Sequence, residues 1–470
     1  MSVSQVAILA VVAMLVNQLK QGRSLALLGV SALVIYWLQP YQESVNLTFW
    51  FPTGTLALAV IFWLVTSTPD IRSWKQNWGA VVILLGVIIL VDLNHYFQFE
   101  YLFITSTPRF QWVALALLGI VLTGFLLARV KEYPPAALIF LIIGLIVMFV
   151  LMKTPSALTM LHRSVAGLRG KDAGAVSDFS WLGFSYVAFR LLHTAIDRKA
   201  GRLRSVPLAE FVNYIVFFPA FGAGPIDRIE RFVPNLNEPA PLDRDGWIQA
   251  GMRLFGGLFK KFVIADALAW IALNDRIAMD VHSAGWMWVL LYAYSLRIYF
   301  DFSGYTDIAM GLGRLLGIRL PENFDSPYFR PNLTQFWNSW HMTLTKWFRS
   351  YFFNPLTRSL RSTRKPLPVP VIIFITQVAT MVLIGLWHGV TMGFFLWGIW
   401  HGVGLFVQNR WSAWRRAHPP AWGMTPLGGA FLKYAGVFVT FHFVTLGWLF
   451  FALSDAVIAW NLMLKLLGVA

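Results

Sequence analysis

The chain has 470 residues, of which 57% are hydrophobic and only 13% are charged. Soluble globular proteins carry roughly a quarter charged residues, so this composition excludes an ordinary soluble domain. The net charge of +16 does not indicate a nucleic-acid partner in such a chain, because the basic residues of membrane proteins collect in cytoplasmic loops.

Apolar runs of spanning or near-spanning length recur along the whole sequence. Clear examples are 79–93, 112–128, 136–152, 369–387 and 392–407. Each run predicts a helix, since backbone groups in lipid must be hydrogen-bonded within the protein. Counting the runs predicts an all-α polytopic membrane protein with about eleven to fourteen membrane helices, some of them too short to cross.

The distribution of basic residues predicts an orientation in the membrane. The N-terminal run has no basic leader and no small-residue cleavage site, so we expect a retained first helix. With the N-terminus outside, the basic loops near 20–23, 129–131 and 198–204 face the cytoplasm, and the Lys- and Arg-poor loops 40–46 and 94–111 face outward. The loop 153–180 departs from this pattern, because it carries four basic residues on the predicted outer side.

No linker rich in Pro, Gly or Ser separates independent domains, so we predict a single membrane domain over 1–470. Residues 1–175 are predicted to be peripheral apolar helices. Residues 176–451 mix apolar helices with polar connections rich in Gly and Pro, such as FFPAFGAGPIDRIERF. Irregular polar backbone survives at membrane depth only where protein or a water-filled cavity covers it, which predicts the functional site in 176–451.

The segment 331–352 is predicted to be one amphipathic helix. At about 100° per residue its aromatic side chains fall on one arc, and a polar stripe that includes His341 lies beside them. Such a segment is too polar to span lipid. We expect it to lie in the interface or to line a cavity.

Two similar words recur near the C-terminus, GLWHGV at 385–390 and GIWHGV at 398–403, and each places a histidine in apolar sequence. Ionisable side chains at membrane depth are costly and usually functional. His193 and His442 also lie in apolar helices, where we expect satisfied core histidines.

The remaining motifs narrow the chemistry that these histidines can support. The chain contains no cysteine, no HExxH zinc motif and no GxSxG serine elbow, so we predict no thiolate nucleophile, metal site or serine nucleophile. A histidine can instead take a proton from an alcohol as it attacks an acyl thioester or ester. Such a site must exclude water, because hydrolysis would compete.

Five stretches of the sequence resemble the membrane-bound O-acyltransferase family, and in particular its bacterial branch of alginate O-acetylation and teichoic acid D-alanyl transfer. They run in family order from about 181 to 451, whereas 1–170 match only as apolar helices. The stretches are FFPAFGAGPIDR, GGLFKKFVIAD, YFDFSGYTDIAMGLGRLLGIRLPENFDSPY, FWNSWHMTLTKWFRSYFFNPL and GLWHGVTMGFFLWGIWHGVGL.

This resemblance implies a helical fold around a central tunnel, with an active site inside the membrane. It places the two family histidines at His388, as the general base, and at His341, which would orient the acyl carbonyl or the acceptor. His401 has a counterpart in this branch without a defined role. The resemblance also implies a cytoplasmic acyl-CoA or carrier-protein thioester as donor, no bound cofactor, and an extracytoplasmic glycan or acyl-relay protein as acceptor.

Other polar side chains near these histidines are supporting candidates. Asn338 lies about one helical turn before His341. Four cationic side chains are candidates for contact with the phosphates of the donor: Lys260, Lys261, Lys346 and Arg349. Each is also explained as a snorkelling charge at the membrane interface. Ser350 stands where relatives commonly carry Asp, which puts a local contact of Arg349 in doubt.

The sequence therefore predicts an O-acyltransferase of the bacterial cytoplasmic (inner) membrane, surrounded by lipid, with acetyl as the expected acyl group. Two other classes stay open. A transporter could use the histidines as a proton relay. Such proteins usually show two matching halves, whereas the internal repeat in this sequence is the short WHG word, whose two copies lie thirteen residues apart. The second open class is a non-catalytic receptor for lipid or glycan on the same fold.

Overall fold

The computed structural model describes residues 1–41, 46–97, 107–168, 180–418 and 425–469, so parts of the loops 40–46, 94–111 and 153–180 lie outside the described residues. The described residues form helices and turns and contain no β-strand, which confirms the all-α prediction. They fold as two compact units. The first comprises 1–255 and 306–320, and the second comprises 256–305 and 321–470.

Within the described residues, the first half of the chain contains eleven α-helices and one 3₁₀ turn, Phe218–Ala220. The helices are α1 Val3–Gln18, α2 Arg23–Trp37, α3 Leu47–Thr66, α4 Trp74–Phe97, α5 Phe110–Ala128, α6 Pro135–Lys153, α7 Pro155–Leu168, α8 Phe184–Lys199, α9 Leu208–Val216, α10 Ile229–Asn237 and α11 Arg244–Leu258.

The described part of the second half contains eleven more α-helices, a 3₁₀ turn at Pro327–Phe329 and two π-helical segments, Phe259–Ala265 and Arg349–Phe353. The α-helices are α12 Asp266–Ala269, α13 Asp275–Asp280, α14 Ala284–Leu315, α15 Leu333–Trp337, α16 Met342–Phe348, α17 Asn354–Arg361, α18 Val369–His388, α19 Met392–Ala417, α20 Pro426–Gly447, α21 Leu449–Ala452 and α22 Ala456–Leu466.

Six helical segments within the described residues are long and apolar enough to span a bilayer: Leu47–Thr66, Trp74–Asn94, Phe110–Ala128, Pro135–Lys153, Val369–His388 and Pro426–Ala452. Two of them, α5 and α6, bury few of their side chains and expose residues such as Leu126 and Phe140, as lipid-facing helices do. The polytopic architecture is thereby confirmed. The count of eleven to fourteen stays a prediction, because other helices are shorter or more polar.

In the first unit, one buried arginine holds the FFPAFGAGPIDR stretch together. Arg190 of α8 donates to the carbonyl of Ile215 at 2.7 Å and to that of Ala220 at 2.8 Å. These carbonyls lie at the end of α9 and in the following 3₁₀ turn, where no helical N–H reaches them. Tyr214 completes the arrangement by donating its hydroxyl to the carbonyl of Asp227 at 2.9 Å.

In the second unit, glycines of the GIWHG word bring α18 and α19 into close contact. The helices are joined by only three residues and are antiparallel, since Gly398 lies against Val382 and Gly402 against Val378. A Cβ atom at Gly398 would lie 2.5 Å from Val382 Cα, and one at Gly402 would lie 2.6 Å from Val378 Cα. Small residues four apart allow such backbone contact between membrane helices.

The prediction of one continuous helix over 331–352 is wrong. The chain forms α15, breaks at 338–341, resumes as α16 and passes into a π-helical segment. The break lies at His341, whose φ of 41° is left-handed and cannot continue an α-helix. The periodicity of the sequence did not predict this break, because the pattern of polar and apolar side chains does not depend on the backbone conformation of a single residue.

We predict that Gly398→Ala destabilises the protein, because the added methyl group meets the backbone of α18 and forces the two helices apart. The thermal midpoint of the detergent-solubilised protein should fall by several degrees. Gly144→Ala in α6 is the matched control, since a Cβ there meets nothing within 4 Å, and it should be neutral or slightly stabilising. Equal midpoints for the two variants would contradict close packing at Gly398.

Candidate active site

His341 occupies a strained turn between α15 and α16. Its left-handed backbone conformation is one of three positive-φ positions at non-glycine residues in the described part of the chain. Such conformations cost about 1–3 kcal/mol and persist where the surroundings enforce them, often at active sites. The side chain is only 2% exposed, and its ring makes a T-shaped contact with that of Phe302, with centroids 4.7 Å apart. His341 is therefore a buried, fixed group and not an interfacial anchor.

Asn323 holds the imidazole of His341. The His341 Nδ1 and Asn323 Oδ1 atoms lie 3.0 Å apart, and the same Oδ1 accepts the backbone N–H and the hydroxyl of Thr343 at 3.1 and 2.8 Å. The other ring nitrogen, Nε2, has no hydrogen-bond partner within the described residues. Burial lowers the pKa of His341 to about 3, so the ring is neutral at physiological pH.

His388 is the last residue of α18 and is half-buried among aromatic rings. The nearest ring centroids are those of Trp387 at 4.5 Å and Phe451 at 4.7 Å. The Trp387 ring also approaches that of His341, at 6.2 Å. Two histidines predicted from sequence thus flank one indole, although they are 47 positions apart.

His401 lies deeper and in a different environment. It is fully buried, and neither of its ring nitrogens has a hydrogen-bond partner in the described part of the chain. The rings of Trp337 and Trp397 enclose it, with centroids 5.2 and 4.8 Å from that of the imidazole. In the antiparallel register of α18 and α19 it stands level with residue 379, roughly 14 Å from the His388 end at 1.5 Å per residue. The repeated word therefore does not place its two histidines side by side.

Asn338 and Arg349 form a pair of their own. The Arg349 guanidinium donates to Asn338 Oδ1 at 2.6 Å, and both side chains are exposed. Asn338 therefore contacts Arg349, and its observed bond does not reach His341.

The lysine candidates are spread over two elements of the second unit. Lys261 forms an ion pair with Asp301, while Lys346 is exposed on α16. Lys260 and Lys261 belong to one π-helical segment, and Arg349 begins the other. Such segments often mark functional sites, which leaves these cations as candidates for donor binding.

Two further histidines in apolar helices lie beside polar partners. His442 Nε2 lies 2.7 Å from the hydroxyl of Tyr292, and its Nδ1 donates to the carbonyl of Phe438 at 2.8 Å. His193 is buried between two carboxylates, with Nδ1 3.7 Å from Asp197 and Nε2 3.4 Å from Glu230.

The group around His193 was not predicted as a cluster. The ligand atoms of His193, Asp197 and Glu230 lie within 4.8 Å of one another, a spacing that a metal ion can bridge. Arg202 forms an ion pair with Asp197, so one of the two carboxylates already has a cationic partner. Glu230 also lines a cavity of about 500 Å³ in the first unit, and none of the predicted site residues lies in its wall.

A family comparison covers the part of the chain that contains these residues. The model of the MBOAT, membrane-bound O-acyltransferase family, matches residues 139–450, which include His341, His388 and His401. The chain belongs to the membrane-bound O-acyltransferase family. Members of this family are acyltransferases, so the chain is an enzyme of that class.

Several bacterial proteins are similar to this O-acyltransferase. A teichoic acid D-alanyltransferase of Streptococcus thermophilus is 30% identical over 293 residues, which cover 59% of this chain and 70% of the relative. A probable alginate O-acetylase AlgI of Pseudomonas aeruginosa is 31% identical, over 60% of this chain and 50% of the relative. A peptidoglycan O-acetyltransferase of Helicobacter pylori is 31% identical, over 52% of this chain and 44% of the relative. The chain thus matches only about half of the two O-acetylating relatives.

Sequence reasoning missed the immediate neighbours of His341. Asn323 and Phe302 both lie within the long stretch that resembles the family, 299–328, but neither has a side chain that signals catalysis by itself. Their importance appears only when the chain folds, because Asn323 is 18 positions from His341. The available signal was the polar LPENFDSPY segment inside an apolar region.

We predict a pH-dependent stabilisation by Glu230. Burial alone would raise the pKa of Glu230, but the hydrogen bond and charge of His193 outweigh it and lower the pKa. A carboxyl with a lowered folded pKa stabilises the fold above its unfolded pKa and loses that contribution as pH falls through the folded pKa. Glu230→Gln should therefore lower the thermal midpoint slightly at pH 7, and the difference should vanish below about pH 4.

Glu238→Gln, at an exposed position at the end of the same helix, is the matched control and should change the midpoint little at any pH. A gap between Glu230→Gln and wild type that widens toward acid pH would contradict the proposed role of Glu230.

Proposed function

We propose that this enzyme transfers an acyl group, with acetyl the expected one, from a cytoplasmic thioester to a hydroxyl of a cell-envelope polysaccharide, directly or through a partner protein. The proposal places it in the bacterial cytoplasmic membrane. The donor would be acyl-CoA or a carrier-protein thioester, and no resident cofactor is required.

The observation that carries this proposal is the pair His341 and His388 beside the Trp387 ring, inside a chain of the O-acyltransferase family. The pair provides what acyl transfer to an alcohol needs, a proton acceptor and an orienting group shielded by aromatic side chains. The relatives named for alginate and peptidoglycan O-acetylation support an envelope glycan as acceptor.

In the proposed reaction, His388 takes the proton of the acceptor hydroxyl as its oxygen attacks the thioester carbonyl carbon. The carbon–oxygen bond forms, and the carbon–sulfur bond breaks when the tetrahedral intermediate collapses. The electron pair leaves with sulfur, and the His388 imidazolium returns the proton to the thiolate. The products are the acylated hydroxyl and a free thiol, and no oxidant or reductant is consumed.

The cationic side chains Lys260, Lys261, Lys346 and Arg349 are proposed to meet the donor's phosphates. A phosphate group would compete with Asp301 for Lys261 and with Asn338 for Arg349. The expected tunnel would let a cytoplasmic donor and an extracytoplasmic acceptor reach the histidines from opposite faces.

Family membership favours this enzyme over the two alternatives considered from sequence. A proton-relay transporter or a lipid or glycan receptor would not need a thiol-releasing step. Release of free thiol from acetyl-CoA or an acetylated carrier protein therefore separates the classes, and the cysteine-free chain contributes no thiol background.

We predict that His388→Ala reduces acyl transfer by roughly a hundredfold or more, the usual worth of a general base. The purified variant should keep the wild-type elution profile and thermal midpoint, because His388 ends a helix and is only half-buried. The measurement is thiol release coupled to acylation of the alcohol. His418→Ala, at an exposed histidine, is the control, and a folded His388→Ala protein with near-wild-type turnover would refute the assignment.

A second prediction is that His341 and His388 act in one step. Groups that serve the same step give non-additive losses. The double alanine variant should therefore be hardly less active than the weaker of the two single variants. Rate losses that multiply would indicate separate sites.

A further inference from the structure

The hydrogen bonds around Asn323 decide which nitrogen of His341 carries the proton. A backbone N–H can only donate, so the Asn323 amide atom that faces the Thr343 N–H at 3.1 Å must be the oxygen. That same oxygen lies 3.0 Å from His341 Nδ1. An oxygen without hydrogen accepts, so Nδ1 must be the protonated nitrogen of the neutral ring. Nε2 then carries a lone pair and no hydrogen.

The position of Asn323 is itself fixed. The residue is completely buried, and its backbone carbonyl accepts the Met342 N–H at 2.9 Å. Two residues later, the Asp325 N–H donates to the carbonyl of Ser339 at 3.0 Å. The LPENFDSPY segment is thereby attached to the turn that carries His341, on both sides of the histidine. Asn323 cannot turn its oxygen away without losing the Thr343 bonds as well.

We propose that Asn323 is a positioning residue that locks His341 in the Nδ1–H form and presents its Nε2 to the substrate as a hydrogen-bond acceptor. This inference rests on the proposed acyl transfer and sharpens it. A neutral Nε2 without hydrogen cannot polarise the thioester carbonyl, which needs a donor. Of the two roles expected for His341, orienting the carbonyl or the acceptor, the geometry assigns the acceptor.

This role specifies a class of acceptor. The reacting hydroxyl has one proton, which goes to His388, so the group that donates to His341 Nε2 must be a different one. Sugar rings commonly carry a second hydroxyl next to the reacting one. The acceptor is therefore inferred to be a vicinal diol of a glycan, with one hydroxyl directed to His388 and its neighbour to His341.

The tautomer can be tested without any substrate. The chain has nine histidines, so ¹⁵N-histidine labelling of the detergent-solubilised protein gives a tractable spectrum, and His341→Asn identifies the His341 signals. We expect a protonated Nδ1 and an unprotonated Nε2 in wild type. The pattern should persist in Asn323→Asp, whose carboxylate can still accept from Nδ1, and should be lost in Asn323→Leu. A protonated Nε2 in wild type would overturn the proposal.

Kinetics separate positioning from folding. Asn323→Leu should reduce turnover by about 10–100-fold, as loss of an orienting partner does, with an unchanged KM for the acyl donor. Asn323→Asp should restore turnover to within a few-fold of wild type. Thr343→Val is the matched control, because it removes one hydrogen bond to the same Oδ1 and leaves the His341 bond in place. Equal losses in Thr343→Val and Asn323→Leu would show that Asn323 only supports the fold.

The diol is tested with cis-1,2-cyclohexanediol and cyclohexanol as small acceptors and acetyl-CoA as donor. Wild type should prefer the diol about tenfold in kcat/KM, the worth of one hydrogen bond, and His341→Asn should lose that preference. Equal use of both alcohols would overturn the diol assignment. If neither alcohol nor any glycan supports the release of thiol, the result counts against the proposed function instead. The ¹⁵N spectrum still decides the role of Asn323 in that case.

Discussion

A polar group that leaves water in a membrane protein must find its partner inside the protein, and this constraint shapes both units of the chain. In the first unit Arg190 donates hydrogen bonds to carbonyls that have no helical partner at a helix end. Arg23 likewise donates to the carbonyls of Leu236 and Leu316. In the second unit Asn323 is the buried hydrogen-bond partner of His341 and Thr343. The irregular, Gly- and Pro-rich segments are thus stabilised by a few buried side chains with several bonds each.

His341 shows how this constraint generates a site. A continuous amphipathic helix would have placed the histidine at the border of a polar stripe, where water could reach it. The left-handed turn instead directs it inward, at a conformational cost of about 1–3 kcal/mol. Bonds from Asn323 to the ring, to Thr343 and to the Met342 N–H offset that cost. The bonds hold the strained turn in place, since such a conformation persists only where its surroundings enforce it.

The sequence was sufficient for features that depend on composition and on local pattern. Apolar runs located α5, α6 and α18 to within two residues at each end, because lipid selects for length and hydropathy along one segment. His388 could be singled out for the same reason, since a histidine at the end of an apolar run is conspicuous. The satisfied state of His442 also followed from its apolar helix.

Features that depend on tertiary contacts could not be predicted in this way. The partner of His341 is an asparagine 18 positions earlier, and nothing in the LPENFDSPY stretch states which residue it will meet. The helix break at His341 depends on one φ angle, and the exposed Asn338, which helical spacing assigned to His341, bonds to Arg349 instead. The cluster of His193 and Glu230 joins α8 to α10 across 37 positions.

The repeated WHG word shows why a motif alone does not define a role. Its glycines serve helix packing in the second copy, where Gly398 and Gly402 admit the backbone of α18. Its histidines differ because α18 ends at the first copy and α19 continues through the second. His388 therefore emerges at a helix end among rings that leave it half-exposed, whereas His401 is enclosed by Trp337 and Trp397. A general base must meet its substrate, so the end of the helix, and not the word itself, makes His388 the stronger candidate.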